Sequence, residues 1–258
     1  MRKIFPLIVV PLLLLSCVNT KQLPYFQDLS DTSRKYSVDM YPYEPLRLMP
    51  DDQVQINISS ISPEASRYFN LVQSTPGTAV GGGGGQSSQN TYSVNAEGFI
   101  TMPIFGDIKV KGMTTEELRL KVMGLLKDYL KDPVVIAKLV NFRVTVIGEV
   151  GGPKVVPVQG ERINVLEALG AAGDMTVYAK RYNVKVVRQT EGKMEVSHLN
   201  FNSSKAIQSP YFQLRQNDVV YVEPTKSKGL STETWIILVP FFTSLIWTLT
   251  FILTSLIR

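Results

Sequence analysis

The chain has 258 residues, a formal net charge of +5, one histidine and one cysteine. A single His and a single Cys leave no ligand set for a Cys/His zinc site and argue against a Ser/His/Asp triad. Discounting Arg2 and Lys3 as part of a leader lowers the charge to +3 (5 − 2); that permits an anionic polymer as partner, but no Lys/Arg cluster or motif speaks for nucleic acid. Acids are scattered along the chain and no pair stands out as a catalytic couple. No catalytic residue, cofactor or metal is therefore expected.

At the N-terminus, Arg2 and Lys3 precede an apolar run from Ile4 to Leu15. As a helix this run reaches about 18 Å, short of a hydrocarbon core of about 30 Å, so it reads as an export signal over residues 1–16. Leu14, Leu15 and Ser16 lead into Cys17, a spacing that resembles the bacterial lipobox. Cys17 then becomes the first mature residue and carries acyl chains, and no odd thiol is left in an oxidising compartment. Val18, rather than an acidic residue, follows it, which points to the outer membrane, with the anchor in the inner leaflet. Residues 17–46, rich in Tyr, Pro and Asp, form an extended tether whose aromatics dock on the protein's own surface in preference to sugars.

LRLMPDDQVQINIS gives a Pro-Asp turn and a half-buried strand with Val54, Ile56 and Ile58 inward. Residues 74–90 are Gly-rich without a phosphate-loop pattern and read as a surface loop inside one domain. Gly98, Pro103, Gly106 and Gly112 punctuate short β pieces. A helix follows: Thr114 and Glu117 form its capping box, Leu118, Val122, Leu125 and Tyr129 share a face, and Asp132-Pro133 stops it. PVVIAKLV and FRVTVIGEV are strands. A short helix is capped by Asn164 and ends near Gly173, a hairpin turns at Glu191-Gly192, and QNDVVYVEP is a last strand. His198 lies in a strand and reads as half-exposed and structural.

LRLMPDDQVQI, then VNAEGFITMPIFGDIKVKGMTTEEL, then YLKDPVV, in that order, resemble the bacterial outer-membrane polysaccharide export proteins. VTVIGEVGGP, INVLEALGAAGDMT and QNDVVYV are similar to that family's soluble-ligand-binding β-grasp repeat. The resemblance runs from about Leu46 to Val222. It rests on Pro50, Asp51, Gly98, Pro103, Gly106, Gly112, Pro133, Gly148, Gly173 and Asp218 as structural positions of the motifs. The chain departs at Gly151-Gly152-Pro153-Lys154, where the family tends to read Pro-Gly, and at Ala172-Gly173-Asp174, where it often reads Ala-Gly-Gly. The expected architecture is α+β. An export domain at 47–140 is followed by one β-grasp domain at 141–225, a linker at 226–233 and a transmembrane helix at 234–258. The resemblance implies a ring homo-oligomer, an octamer, fed by an inner-membrane copolymerase often coupled to a tyrosine kinase.

Thr234 to Ile257 is 24 uncharged residues, about 36 Å as a helix and long enough to span. At 100° steps Thr243, Ser244, Thr248, Thr250, Thr254 and Ser255 fall in an arc of about 160°, and the opposite arc is wholly apolar. Two readings stay open: helix–helix packing, which favours Ser and Thr anyway, or a ring of helices turning its hydroxyls to a water-filled bore. Eight helices about 10 Å apart would leave a bore of about 15 Å. Trp247 and Phe251 share the arc and suit a polar lining poorly. Three functions compete: a passive export channel for polysaccharide, a monomeric glycan-binding lipoprotein, and a periplasmic hydrolase or lyase. The hydroxyl arc favours the first, and the missing site constellation disfavours the third.

Overall fold

The computed structural model describes residues 23–29, 35–70, 90–190, 192–225, 240–245, 247, 248, 252 and 255. The leader with Cys17, the Gly-rich loop, the linker after Thr225 and the tail positions Thr250 and Thr254 lie outside the described residues.

The first half is built on β1 (Gln53–Ser59), whose buried residues are Val54, Ile56 and Ile58, as the period-2 alternation requires. It pairs antiparallel with β2 (Thr91–Ser93) on one side and β5 (Val134–Leu139) on the other. Between them β3 (Phe99–Met102) and β4 (Gly106–Lys109) form a hairpin. A short α1 (Pro63–Arg67) follows β1, and α2 (Thr115–Leu126) packs against β5.

The capping box of α2 is present: Glu117 N–H donates to Thr114 Oγ1 (3.1 Å) and Thr114 N–H to Glu117 Oε2 (2.9 Å). Its buried stripe is Leu118, Val122 and Leu126, not Leu118, Val122, Leu125 and Tyr129. The helix ends at Leu126, well before Pro133; the Leu126 carbonyl accepts from Tyr129 N (3.0 Å) and Leu130 N (2.8 Å) in one last irregular turn, and Leu130 is buried. Tyr129 stays outside and meets Phe69 and Phe105 edge-on.

The second half is a five-stranded mixed sheet in the order β10-β9-β12-β6-β7. Its strands are β6 (Arg143–Gly148), β7 (Lys154–Pro157), β9 (Ala179–Thr190), β10 (Lys193–Leu199) and β12 (Val219–Pro224). β12 runs parallel to β6 and antiparallel to β9. α3 (Val165–Ala171) packs against β6 and carries a second capping box, Asn164 with Glu167. The small pair β8 (Ile163–Asn164) and β11 (Gln213–Leu214) closes the end of the domain. One set of buried apolar side chains runs through both halves.

The two ends of the Gly-rich segment are held together. Asn90 Nδ2 donates to Asn70 Oδ1 (3.2 Å), and Asn70 in turn accepts from Ile58 N (3.0 Å). The two ends are thus tied to β1. Deleting Thr78 to Gln89 should shift Tm by no more than about 3 °C, since loop length enters only logarithmically. Circular-dichroism melts check this, and loss of the folded protein would make those residues a structural element.

Candidate functional site

The positions that carry the sequence motifs all sit at turns or strand ends. Asp51 holds a left-handed turn (φ 71°) after Pro50. The carboxylate that closes this turn belongs to its neighbour Asp52, which accepts from Met49 N (2.8 Å) and is 4% exposed. Burial raises the Asp52 pKa above the ordinary carboxylate value, partly offset by that backbone bond. Gly98 precedes β3, Pro103 and Gly106 make the β3–β4 turn, Gly112 follows β4, and Pro133 opens β5. Gly148 ends β6 at φ 98°, and a Cβ there would lie 2.1 Å from the Val222 carbonyl oxygen of β12. No side chain fits while β6 and β12 stay paired.

The two departures from the family pattern face each other. Gly151 N–H donates to Asp174 O (2.9 Å) and Gly152 N–H to Ala172 O (2.8 Å). A Cβ on Gly151 would meet the Gly173 carbonyl oxygen at 2.6 Å, so the extra glycine and the 172–174 turn are one structural unit.

Asp174 also receives the tether. The Tyr25 hydroxyl donates to Asp174 Oδ1, and its ring meets Phe201 edge-on and lies under the Arg181 guanidinium. Burial, and then the Asp174 hydrogen bond, push the Tyr25 pKa up. Next to it Phe26 N–H donates to Phe201 O (2.9 Å) and Gln27 N–H to Asn202 O (2.7 Å). The Asp28 carboxylate accepts from Ser203 Oγ, Ser204 N and Ser204 Oγ (2.8, 2.8 and 2.9 Å). The first of these bonds is the largest influence holding the Asp28 pKa below its ordinary value. The tether therefore docks on the second domain before it runs to the first, which its place in the sequence does not suggest. Further along, Tyr41 and Tyr43 remain exposed beside a shallow cleft shared with Pro210 and Arg215.

Two ionic clusters stiffen the sheet. Arg188 and Asp218, 6% and 1% exposed at the side chain, form an ion pair at 2.7 Å. Asp218 also accepts from Arg215 N (2.7 Å), and Arg188 lies over the Tyr211 ring at 4.7 Å. On the opposite face Glu223 accepts from Lys185, Lys180 and Asn183. The two lysines hold its pKa down at about 2. With the folded value depressed, this contribution to stability is complete above the ordinary carboxylate range and is lost as pH falls towards 2. His198 Nδ1 meets Asn183 Oδ1 (2.6 Å), a structural contact in an exposed strand. Among the described residues no group of His, Cys, Asp or Glu is arranged to hold a metal ion.

In the tail, Pro240–Leu245, Trp247, Thr248, Ile252 and Ser255 are helical. The hydroxyls of Thr243, Ser244, Thr248 and Ser255 donate to carbonyls three or four residues back in the same helix (3.0, 2.8, 2.9 and 2.9 Å). They are satisfied without a second helix or a bore, so their segregation alone demands neither. Among the described residues no helix is long and apolar enough to cross a membrane.

Two family models match the chain in succession. The one described as polysaccharide biosynthesis/export protein covers residues 41–140, and the SLBB domain covers residues 142–222. The EPS I polysaccharide export outer membrane protein EpsA of Ralstonia solanacearum is 31% identical over 137 residues, 52% of this chain and 36% of that protein. The capsule polysaccharide export protein BexD of Haemophilus influenzae is 30% identical over 142 residues, 53% of this chain and 35% of BexD. The capsule polysaccharide export outer membrane protein CtrA of Neisseria meningitidis is 29% identical over 126 residues, 45% and 33% of the two chains. The matches thus span about a third of the length of these relatives, all of which are named as export proteins and none as an enzyme. With the two domains in this order and the motif glycines at the turns that require them, residues 41–140 belong to the polysaccharide biosynthesis/export protein family and residues 142–222 form an SLBB domain.

Proposed function

We propose that this chain exports capsular or extracellular polysaccharide across the outer membrane, as a lipid-anchored protein with its α+β body in the periplasm. The observation that carries the reading is the succession of export domain and SLBB domain over residues 41–222, shared in part with relatives named for polysaccharide export at the outer membrane. The anchor is Cys17, supported by Leu-Leu-Ser-Cys and by Val18 after it. Assembly is a ring of copies, eight by family resemblance, with the C-terminal segment crossing the membrane to the cell surface. The inner-membrane partner is a copolymerase of the kind coupled to a tyrosine kinase.

A second reading makes the protein a monomeric glycan-binding lipoprotein whose tail only anchors it. It draws support from the tail hydroxyls, which close on their own helix. Chain reach favours neither: from Cys17 to the docked Leu23 is at most about 21 Å, and both readings tolerate a body held close to the membrane.

The test is Cys17→Ser in cells that make surface polysaccharide. Lipid labelling should disappear, uncleaved precursor should accumulate, and surface polysaccharide should fall. A variant that is processed, sorted to the outer membrane and exports like the parent defeats the anchored-exporter reading.

A further inference from the structure

The outward face of the β2-β1-β5 sheet is almost free of charge. Gln53, Gln55, Asn57 and Ser59 of β1 point away from the buried Val54, Ile56 and Ile58, and Thr91 and Ser93 of β2 stand beside them, Gln53 opposite Ser93 and Gln55 opposite Thr91. Other strands with several exposed positions carry charge there, as Asp107 and Lys109 in β4 or Lys193 and Glu195 in β10. On this face only Lys138 of β5 does. The sequence is uncharged from Gln53 to Pro63 and again from Tyr68 to Ala96. Ordinary surfaces are about one-quarter to one-third charged, so a face of amides and hydroxyls asks for a reason other than solubility.

A second stripe adjoins the first. Val134 and Ile136 of β5 are 55% and 48% exposed and stand opposite Ser59 and Asn57. Amide and hydroxyl groups repeat about every 6.7 Å along β1, with an apolar row about 4.8 Å to the side. A pyranose ring has the matching cross-section, hydroxyls at its rim and C–H groups on its face. Gln and Asn offer both donors and acceptors, as a polyhydroxyl chain requires.

We propose that this face is a glycan-contacting track, binding an extended segment of the exported polysaccharide weakly and irrespective of its charge. The inference rests on the export reading. With no fixed ion in the contact, each bond is weak and replaceable by water, which suits a polymer that must move on.

The test titrates the purified full chain with a short dextran and, separately, with hyaluronan oligosaccharide, following the backbone amide signals of Gln53 to Ser59, which every variant retains, together with the side-chain amides of Gln53, Gln55 and Asn57 in the parent. Both probes should move these signals saturably. Gln53→Ala/Gln55→Ala/Asn57→Ala, which spares the core, should weaken both by at least about fivefold, the loss of roughly one net hydrogen bond. The exchange Gln55→Asn/Asn57→Gln should retain binding. Shifts that leave this face untouched, or that survive the triple substitution, overturn the proposal. So do shifts that follow protein concentration without glycan, which would put a second copy there. In cells, the triple variant at parental protein level should export less surface polysaccharide. If deleting the gene leaves export intact, the export reading fails while the titration still decides the face. If deletion abolishes export and the triple variant exports normally, the track fails alone.

Discussion

Replacing Asp218 by Ala should cost about 3–5 kcal/mol, because it strands the Arg188 guanidinium without its carboxylate in the core of the sheet. Arg188 is 5% exposed and Asp218 1%. The carboxylate takes three contacts from Arg188 Nε and Nη2 and a fourth from Arg215 N, so one substitution removes the ion pair and opens the 215–218 turn. Tm should fall by roughly 10 °C or more for a body of this size. Arg188→Met should also destabilise, by leaving Asp218 uncompensated. The double variant Arg188→Met/Asp218→Ala should lose less than the sum of the two, by at least about 1 kcal/mol. Denaturant melts of the three variants decide it. An Asp218→Ala protein within about 1 kcal/mol of the parent would show that water or Tyr211 already shields the arginine.

Asp218 was legible in the sequence, as the acid before a β-branched strand in a family motif, but its partner was not. Arg188 lies 30 residues upstream in an alternating strand, where its inward position breaks the apolar pattern that marks a core. The same division holds elsewhere. The Thr114/Glu117 capping box, the Asn164 cap, the β1 alternation and the last strand follow local rules and are found as expected. What local rules miss is contact across distance. Tyr25 reaches Asp174 over 149 residues, Asp28 reaches Ser204 over 176, and Gly151 faces Gly173. Period also misled once: on α2, Leu125 and Tyr129 fit a helical stripe as well as Leu126 and Leu130 do. The choice is made by packing against β5, which buries Leu126 and leaves Leu125 and Tyr129 exposed, a tertiary effect.

Labelling of the tail should separate a channel from an anchor. If the arc lines a bore, single cysteines at Ser244, Thr248 and Ser255, in a background anchored independently of Cys17, should react with a water-soluble thiol reagent in assembled protein. Cysteines at Leu245, Leu249 and Leu256 should stay silent, since a thiolate forms poorly in lipid and the reagent does not enter it. The hydrogen bonds from Ser244, Thr248 and Ser255 to their own helix sharpen the experiment. Such hydroxyls carry no unmet demand for water, so a hydroxyl facing lipid is affordable and reactivity, rather than polarity, must report the bore. Replacing Thr248 by Val should accordingly leave the protein folded and inserted in either case. A bulky adduct on Thr248→Cys should stop surface polysaccharide by occupying a passage of only about 15 Å, whereas the same adduct on an anchor should leave it unchanged. Arg258 should be accessible from outside intact cells, because a helix that starts at the periplasmic body ends across the membrane. Equal labelling of both faces, or an Arg258 tag protected in intact cells, would reduce the tail to an anchor and return the function to glycan capture by the body.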